Sequence, residues 1–444
     1  MQKVRKGYIF KVSQVFTKKT NITKLGHALW IENAMNKDNH WPRAIVFIDM
    51  NAFFASIEQK DFPELAGRPV GITNGKIGTC IITCSYEARR AGIKTGMRLK
   101  EARQLCPALI QRPTRPHRYA EVSSSIMQAF QELTDTIEIF SVDEAYLDVT
   151  ASQLLLGSPM EIGKRAKEIV FEVSGLMCSV GVAADKTTAK YAASLHKPNG
   201  FFVVHPDESE VFLADAPIDE LCGINKGIKR FFAKYGVLLC RDMKKIPISI
   251  PAKRFGHLGR RLWLMCQGKD PDLVHCIVPP PKSLGHGKVM PPNTTDKRVI
   301  ETYLLHMGEK VAARLRHHSL QANTFFIGLR MQDWGWLGGQ YRTGQITNDG
   351  KMIYRLIKQF LEEQWQGQPV CQVQVTALSP SAEFEQFDLF YSTPVESKKL
   401  NSVVDAINHK YGEFTIAPAA LLTRSKMPNV IAPAWKPFGH RKTV

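Results

Sequence analysis

Arg43-Ala-Ile-Val-Phe-Ile-Asp49 and Ser141-Val-Asp-Glu-Ala-Tyr-Leu-Asp148 are the two stretches that decide how this chain is read. The first is apolar up to its last residue, the pattern of a buried central strand that ends in a carboxylate. The second reads as a tight turn and a returning strand, with Asp143-Glu144 at the turn. Adjacent strands can bring such ends together however far apart they lie in the chain. In a regular strand Asp143 and Glu144 would face opposite ways, so a turn or bulge has to aim both at one point. Three carboxylates at one point repel and raise one another's pKa unless cations neutralise them. Hard oxygen donors suit magnesium, and two such ions can clamp the attacking and leaving oxygens of a phosphoryl displacement. Taken alone, Asp143-Glu144 is better read as a polar turn.

Outward from these stretches the chain reads as a mixed α/β unit. Ala52 to Gln59 has helical character, Pro69–Ile72 and Thr79–Thr83 read as strands, and Tyr86 to Gly92 as a helix. A helix over 119–134, a strand over 137–140, a helix over 159–175 and strands at 178–183 and 201–204 complete the unit. Short helices punctuated by Gly and Pro fill about 207–278, and Pro279-Pro-Pro281 reads as a semi-rigid linker. Beyond it the pattern predicts strand 284–290, helix 297–317, strands 324–334 and 340–346, helix 350–365 and strand 370–378, a small α+β module. A tail follows, with an amphipathic helix expected over Leu400 to Tyr411. The fold class is therefore multidomain, α/β followed by α+β, as 444 residues exceed one ordinary domain.

Lys and Arg number 59 against 41 Asp and Glu, a formal charge of +18 with a sequence pI near 9.5, which points to a polyanionic partner. Nine scattered cysteines form no Cys-x-x-Cys pair, so zinc is not expected and reduced thiols in a cytoplasm are. No apolar run approaches the roughly 18 residues of a membrane span; a soluble, cytoplasmic protein without a membrane partner is expected. Residues 1–40 carry eight Lys/Arg against two acids. They read either as a DNA-contacting arm or as a poorly ordered, dispensable leader, the second being preferred, with Met35 as a possible start.

The segments Phe47-Ile-Asp-Met-Asn-Ala-Phe-Phe-Ala-Ser-Ile-Glu58, Tyr86-Glu-Ala-Arg89 with Gly92 and Gly96-Met97, Ser141 to Asp148, and Lys197-Pro-Asn-Gly200 together resemble Y-family DNA polymerases of the bacterial polymerase IV and polymerase V type. The resemblance implies a right-hand polymerase: a palm over 41–206 with small fingers inserted at about 52–112, a helical thumb over 207–278, a linker at 279–283, a little finger over 284–380 and a tail over 381–444. It implies error-prone translesion DNA synthesis on primer-template DNA from dNTPs. Asp49, Asp143 and Glu144, with the backbone carbonyl of Met50, would hold two magnesium ions. Phe54 would be the steric gate against a ribose 2′-hydroxyl, with Phe53 packing inward. Tyr86, Arg89 and Lys197 would hold the triphosphate, and Ile82 would cover the nascent base pair. Many relatives carry an acid where this chain has Asn51, a side chain outside the implied ligand set.

Leu221-Cys-Gly-Ile-Asn-Lys-Gly-Ile228 is similar to a helix-hairpin-helix, in which Gly223, Asn225 and Gly227 would present backbone amides to a DNA phosphate. Asn225 replaces a usual glycine and tolerates left-handed backbone better than most residues. A structural helix pair is the alternative. Basic residues of the α+β module, among them Lys282, Lys288, Lys297, Arg298, Lys310, Arg314, Arg316 and Arg330, would grip the duplex. Gln386-Phe-Asp-Leu-Phe390 is similar to the bacterial sliding-clamp peptide; Gln386, Leu389 and Phe390 would contact the β clamp, the alternative being a short strand against the body. Polymerase V-type accessory subunits and a nucleoid association are further expectations of the resemblance. A non-catalytic DNA scaffold and another palm-type enzyme such as a nucleotide cyclase are rival readings. The complete set of acids argues against the first; the hairpin, the α+β module and the clamp-like peptide argue against the second.

Overall fold

A computed structural model describes residues 40–443 except 77, 334, 384–394, 423, 425–430 and 433. In chain order its principal elements are β1 (Ile45–Met50), α1 (Phe53–Asp61), β2 (Val70–Thr73), β3 (Ile81–Cys84), α2 (Tyr86–Arg90), β4 (Ile110–Pro113), α3 (Pro116–Ala129), β5 (Ile137–Ile139), β6 (Glu144–Asp148), α4 (Pro159–Ser174), β7 (Cys178–Ala183), α5 (Lys186–Leu195), β8 (Phe201–Val203), α6 (Lys226–Ala233), β9 (Ser283–Thr294), α7 (Lys297–His317), β10 (Leu320–Met331), β11 (Trp336–Thr347), α8 (Gly350–Gln364), β12 (Val370–Leu378) and α9 (Val395–Tyr411). The chain divides into two compact units, one comprising the residues up to Pro63 with Glu121–Cys276, the other Glu64–Ala120 with Ile277 onward.

The first unit is built on a five-stranded sheet of order β5-β6-β1-β7-β8. β1 lies at its centre, buried at every residue and antiparallel to both β6 and β7. The period of two turns Ile45, Phe47 and Asp49 to the same face, and Ile45 and Phe47 pack there with Ala189, Ala192 and Ala193 of α5. The small side chains of α5 let it approach closely: a Cβ at Gly181 of β7 would lie 2.0 Å from the Ala189 carbonyl oxygen. α4 is bounded as its sequence suggests, by a Ser158/Glu161 capping box, Pro159 in the first turn and Gly175 with φ +64°. The helical part of this unit has its own core, in which Leu213, Ile228, Phe232, Val237, Met243 and Leu262 are central.

A buried ion network ties α5 to the end of that helical part. Lys186 Nζ donates to Glu138 Oε2 (2.7 Å), Asp272 Oδ2 (2.7 Å) and the Leu273 carbonyl (3.0 Å). Arg261 meets Asp270 through Nε (2.8 Å) and Nη2 (2.9 Å), and Thr187 Oγ1 donates to the same carboxylate.

In the second unit, residues 70–113 hold a three-stranded sheet of order β3-β2-β4. Residues 283–378 form a β-α-β-β-α-β module with an antiparallel sheet of order β11-β10-β12-β9. α7 and α8 cover one face through Leu304, Val311, Ile353, Ile357 and Phe360, meeting Phe325, Ile327, Leu329, Val373 and Val375. The other face carries Phe326, Gly328, Arg330, Gln372 and Gln374, with Trp336, Gly338, Gln340 and Arg342 in register beside them. The strands β9 and β11 run longer than their periodicity suggested, and β10 begins and ends earlier than expected. Among the described residues no helix is long and apolar enough to cross a membrane.

Candidate active site

Asp49 and Glu144 are cross-strand partners in the β1–β6 register. Asp143 sits just before β6, in a turn closed by the Phe140 and Ser141 amides, which both donate to the Glu144 carbonyl (2.9 and 3.1 Å). The Asp143 carbonyl in turn accepts from the Met50 amide (2.9 Å). This turn answers the geometric difficulty of two consecutive acids: only Glu144 belongs to the pleated strand. Ser141 Oγ donates to Asp143 Oδ1 (2.7 Å) and orients that carboxylate.

Two lysines meet the acids. Lys197 Nζ pairs with Asp49 Oδ2 at 2.5 Å. Lys190 Nζ pairs with Glu144 Oε2 at 2.7 Å and lies 4.7 and 4.4 Å from the ring centres of Phe47 and Phe140. Burial pushes Asp49 up to about 7 against the pull of Lys197, and Glu144 and Asp143 add to the rise. Burial also raises Asp143, opposed by the Ser141 hydroxyl, with Glu144 adding to the rise. These shifts mark carboxylates crowded in a poorly hydrated place, where a nearby dication favours the charged forms.

Among the described residues no three His, Cys, Asp or Glu side chains form a preassembled metal cage; Asp49 and Glu144 are turned on to the lysines. Magnesium usually takes one or two carboxylates and completes its shell with water and phosphate oxygens. An open set of hard oxygen donors, in which Asp49 and Asp143 are raised chiefly by burial, fits such an ion.

Immediately after Asp49 the chain turns sharply. Ala52 has φ +46°, and α1 starts at Phe53 with no side chain capping its first amides. Phe53 and Phe54 are both buried, at 2% and 9% exposure, with ring centres 5.8 Å apart. Tyr86 and Arg89 belong to the other unit. There Ser85 caps α2 by accepting from the Ala88 amide, and the Arg89 guanidinium lies 4.9 Å over the Tyr86 ring. Arg89 Nε donates to the Cys84 carbonyl (3.3 Å), and Ile82 is a half-buried residue of β3.

The hairpin differs from its sequence reading. Leu221–Ile228 joins a single 3-10 turn (Ile218–Glu220), not a full helix, to α6. Gly223 has φ +90°. Asn225 is extended (φ −84°, ψ 174°) and not left-handed, because it is the N-cap of α6: its Oδ1 accepts from the Gly227 and Ile228 amides (2.9 and 3.0 Å). The cap thus engages the Gly227 amide internally. Several basic residues of the α+β module are also engaged, on its helical side. Lys310 pairs with Glu413 (3.2 Å), Arg316 meets Asp405 through two nitrogens, and Arg314 Nη2 donates to the His440 carbonyl (2.9 Å). Gln386, Leu389 and Phe390 lie outside the described residues.

Sequence reasoning passed over Lys190, Ser141 and the packing role of Asn51. A signal for Lys190 was present: it stands one helical turn after Lys186, on the same face of α5.

Residues 48–194 match the impB/mucB/samB family, and residues 281–389 match the C-terminal domain of that family. The chain is 34% identical over 392 residues to DNA polymerase IV of Moorella thermoacetica, covering 86% of this chain and 96% of that protein. It is 32% identical over 388 residues to DNA polymerase IV of Desulfatibacillum aliphaticivorans, covering 85% and 97%. A solved Y-family DNA polymerase chimera superposes with a TM-score of 0.67 at 28% identity, covering 77% of this chain and all of the chimera. The class defined by fold and site is therefore that of the Y-family translesion polymerases. Within it, the chain belongs to the impB/mucB/samB family, with relatives of the polymerase IV type.

Proposed function

We propose that Asp49, Asp143 and Glu144 are the metal-binding carboxylates of this enzyme and that Lys197, Tyr86 and Arg89 bind the incoming triphosphate. The protein is a DNA-directed DNA polymerase of the translesion class, with primer-template DNA and dNTPs as substrates. The family depends on divalent metal ions; here the finer reading is two magnesium ions, held by those acids and the Met50 carbonyl. The observation that carries the assignment is the register that sets Asp49 opposite Glu144 with Asp143 in the adjoining turn.

When bound, the ions would supply charge neutralisation to the attacking 3′-oxygen and the departing pyrophosphate. The protein's own groups do the positioning. Ser141 holds Asp143 in one rotamer, and Lys190 fixes Glu144 from the other side. Lys197 brings a point charge to the triphosphate edge of the acids, and Arg89 offers a planar fork to phosphate oxygens. Phe54, on the first turn of α1, fills the space a 2′-hydroxyl would need. The palm would be 41–206 with fingers at about 52–112, the thumb 207–278 and the little finger 284–380, whose helix-free sheet face, with Arg330 and Arg342, would lie toward the duplex. Gly223 and Asn225 would place the thumb against a phosphate through their backbone amides, with Gly227, whose amide the Asn225 cap engages, in the same turn. Gln386–Phe390 would recruit the β sliding clamp, and polymerase V-type subunits are candidate partners.

The test is primer extension by the purified protein with magnesium and dNTPs, on intact and abasic templates, beside Asp143→Ala. Extension and abasic bypass by the wild type, both lost in the variant, are expected. Full extension by Asp143→Ala would remove Asp143 from the metal site.

A further inference from the structure

The Lys197-Pro-Asn-Gly200 loop between α5 and β8 is tightly built. Asn199 has φ +59°, and a Cβ at Gly200 would lie 2.3 Å from the His196 carbonyl oxygen. Such a loop offers its own backbone groups few internal partners, and the structure shows where they go. The Asn199 amide donates to Asn51 Oδ1 (2.6 Å), and the Gly200 amide donates to Ser179 Oγ (3.2 Å). Asn51 Nδ2 donates to the same Ser179 Oγ (3.0 Å), which closes a ring of hydrogen bonds around the base of the loop. From the opposite side Lys167 Nζ, on α4, donates to the Asn199 carbonyl (2.5 Å) and the Gly200 carbonyl (3.3 Å). Asn51 is 4% exposed and Ser179 is fully buried.

We infer that Asn51 and Lys167 are positioning residues for Lys197, gripping its loop from two sides so that the ammonium group is held at the triphosphate edge of the site. The inference rests on the reading of Lys197 as a triphosphate contact. Asn51 suits the task because its amide both accepts and donates, and it sits two residues after Asp49, so the same turn that presents the carboxylate also sets the loop. Lys167 reaches the loop from α4 and touches none of the three acids in its hydrogen bonds. An effect it shares with Asn51 therefore passes through the loop.

The experiment measures kcat and the KM for a correct dNTP in single-nucleotide insertion. The proteins are wild type, Asn51→Ala, Asn51→Asp, Lys167→Met and Lys197→Ala, with the Asn51→Ala and Lys167→Met changes also combined with Lys197→Ala. Asn51→Ala and Lys167→Met are each expected to raise KM about fivefold, the effect of one lost hydrogen bond, with little change in kcat. Asn51→Asp, which keeps the acceptor for the Asn199 amide, should restore most of the KM. In the Lys197→Ala background the additional rise should vanish, since residues acting through one group are not additive. If Lys197→Ala raises KM while Asn51→Ala and Lys167→Met do not, or if their effects multiply with it, the positioning role is overturned and the Lys197 assignment stands. If Lys197→Ala leaves KM unchanged, that assignment fails and the inference falls with it. A loss of folding would lower the active fraction and the thermal midpoint, not raise KM, and Lys167→Met provides the answer where Asn51→Ala is unstable.

Discussion

Phe54 is the residue at which sugar selection is proposed to occur. A ring packed against the sugar excludes one extra oxygen by overpacking, a cost of about 1–3 kcal/mol. Phe54→Ala is therefore expected to weaken discrimination against ribonucleotides by roughly tenfold or more, measured as the ratio of kcat/KM for matched dNTP and rNTP. Unchanged discrimination would place the gate elsewhere. At this scale the proposed acids stood out in the sequence, because a carboxylate at the end of an apolar run is costly without a purpose. Their aim did not. That Asp143 lies in the turn and Glu144 in the strand depends on the doubled hydrogen bond to the Glu144 carbonyl, which no side-chain pattern records. Asn225 shows the same limit: its residue type permits both a left-handed turn and an N-cap, and the start of α6 selects the cap.

Helix α5 links the five-stranded sheet to the helical segment through Lys186, whose side chain is 5% exposed between Glu138 and Asp272. Removing one member of a buried ionic network strands its partners, at a cost of about 3–5 kcal/mol. Lys186→Met is expected to lower the unfolding free energy read from urea denaturation by that amount, and a change below about 1 kcal/mol would show that water compensates the acids. The pairing itself was invisible in sequence, since Glu138, Lys186 and Asp272 lie in three separate elements. The elements were readable where local chemistry bounds them. α4 has its capping box and its glycine, and α7 starts at Asp296, whose side chain accepts from the Arg298 amide. The ends of β10 and β11 were not, because a strand's length depends on the partners it pairs with.

In the second unit the C-terminal segment packs along α7, with Trp435 buried and Phe414 edge-on to His306 at 4.8 Å. Burial pushes His306 down to about 3, and Lys310, Lys288 and Arg424 add to the fall. His286 is likewise lowered to about 3, by burial and by Lys310, Arg314 and His306. A histidine held neutral in the fold but protonated at its ordinary pKa of about 6.5 when unfolded stabilises fully above that value. The contribution shrinks as pH falls from there toward 3. The thermal midpoint should thus drop between pH 7 and pH 5, and His306→Phe should flatten that slope; an identical slope would exonerate His306. DNA binding should weaken linearly in log salt, by a slope of about 0.9 per phosphate neutralised. Arg330→Gln with Arg342→Gln should make that slope shallower, whereas Lys310→Met, beneath the C-terminal segment, should leave it unchanged. Equal effects would mean that the helical side also meets the duplex. By itself the sequence determined the family and the alternation of elements, because these reside in residue type and in periods of 2 and 3.6 residues. Only the tertiary structure decided which basic residues pair internally, because a charge's partner is set by packing between elements distant in the chain.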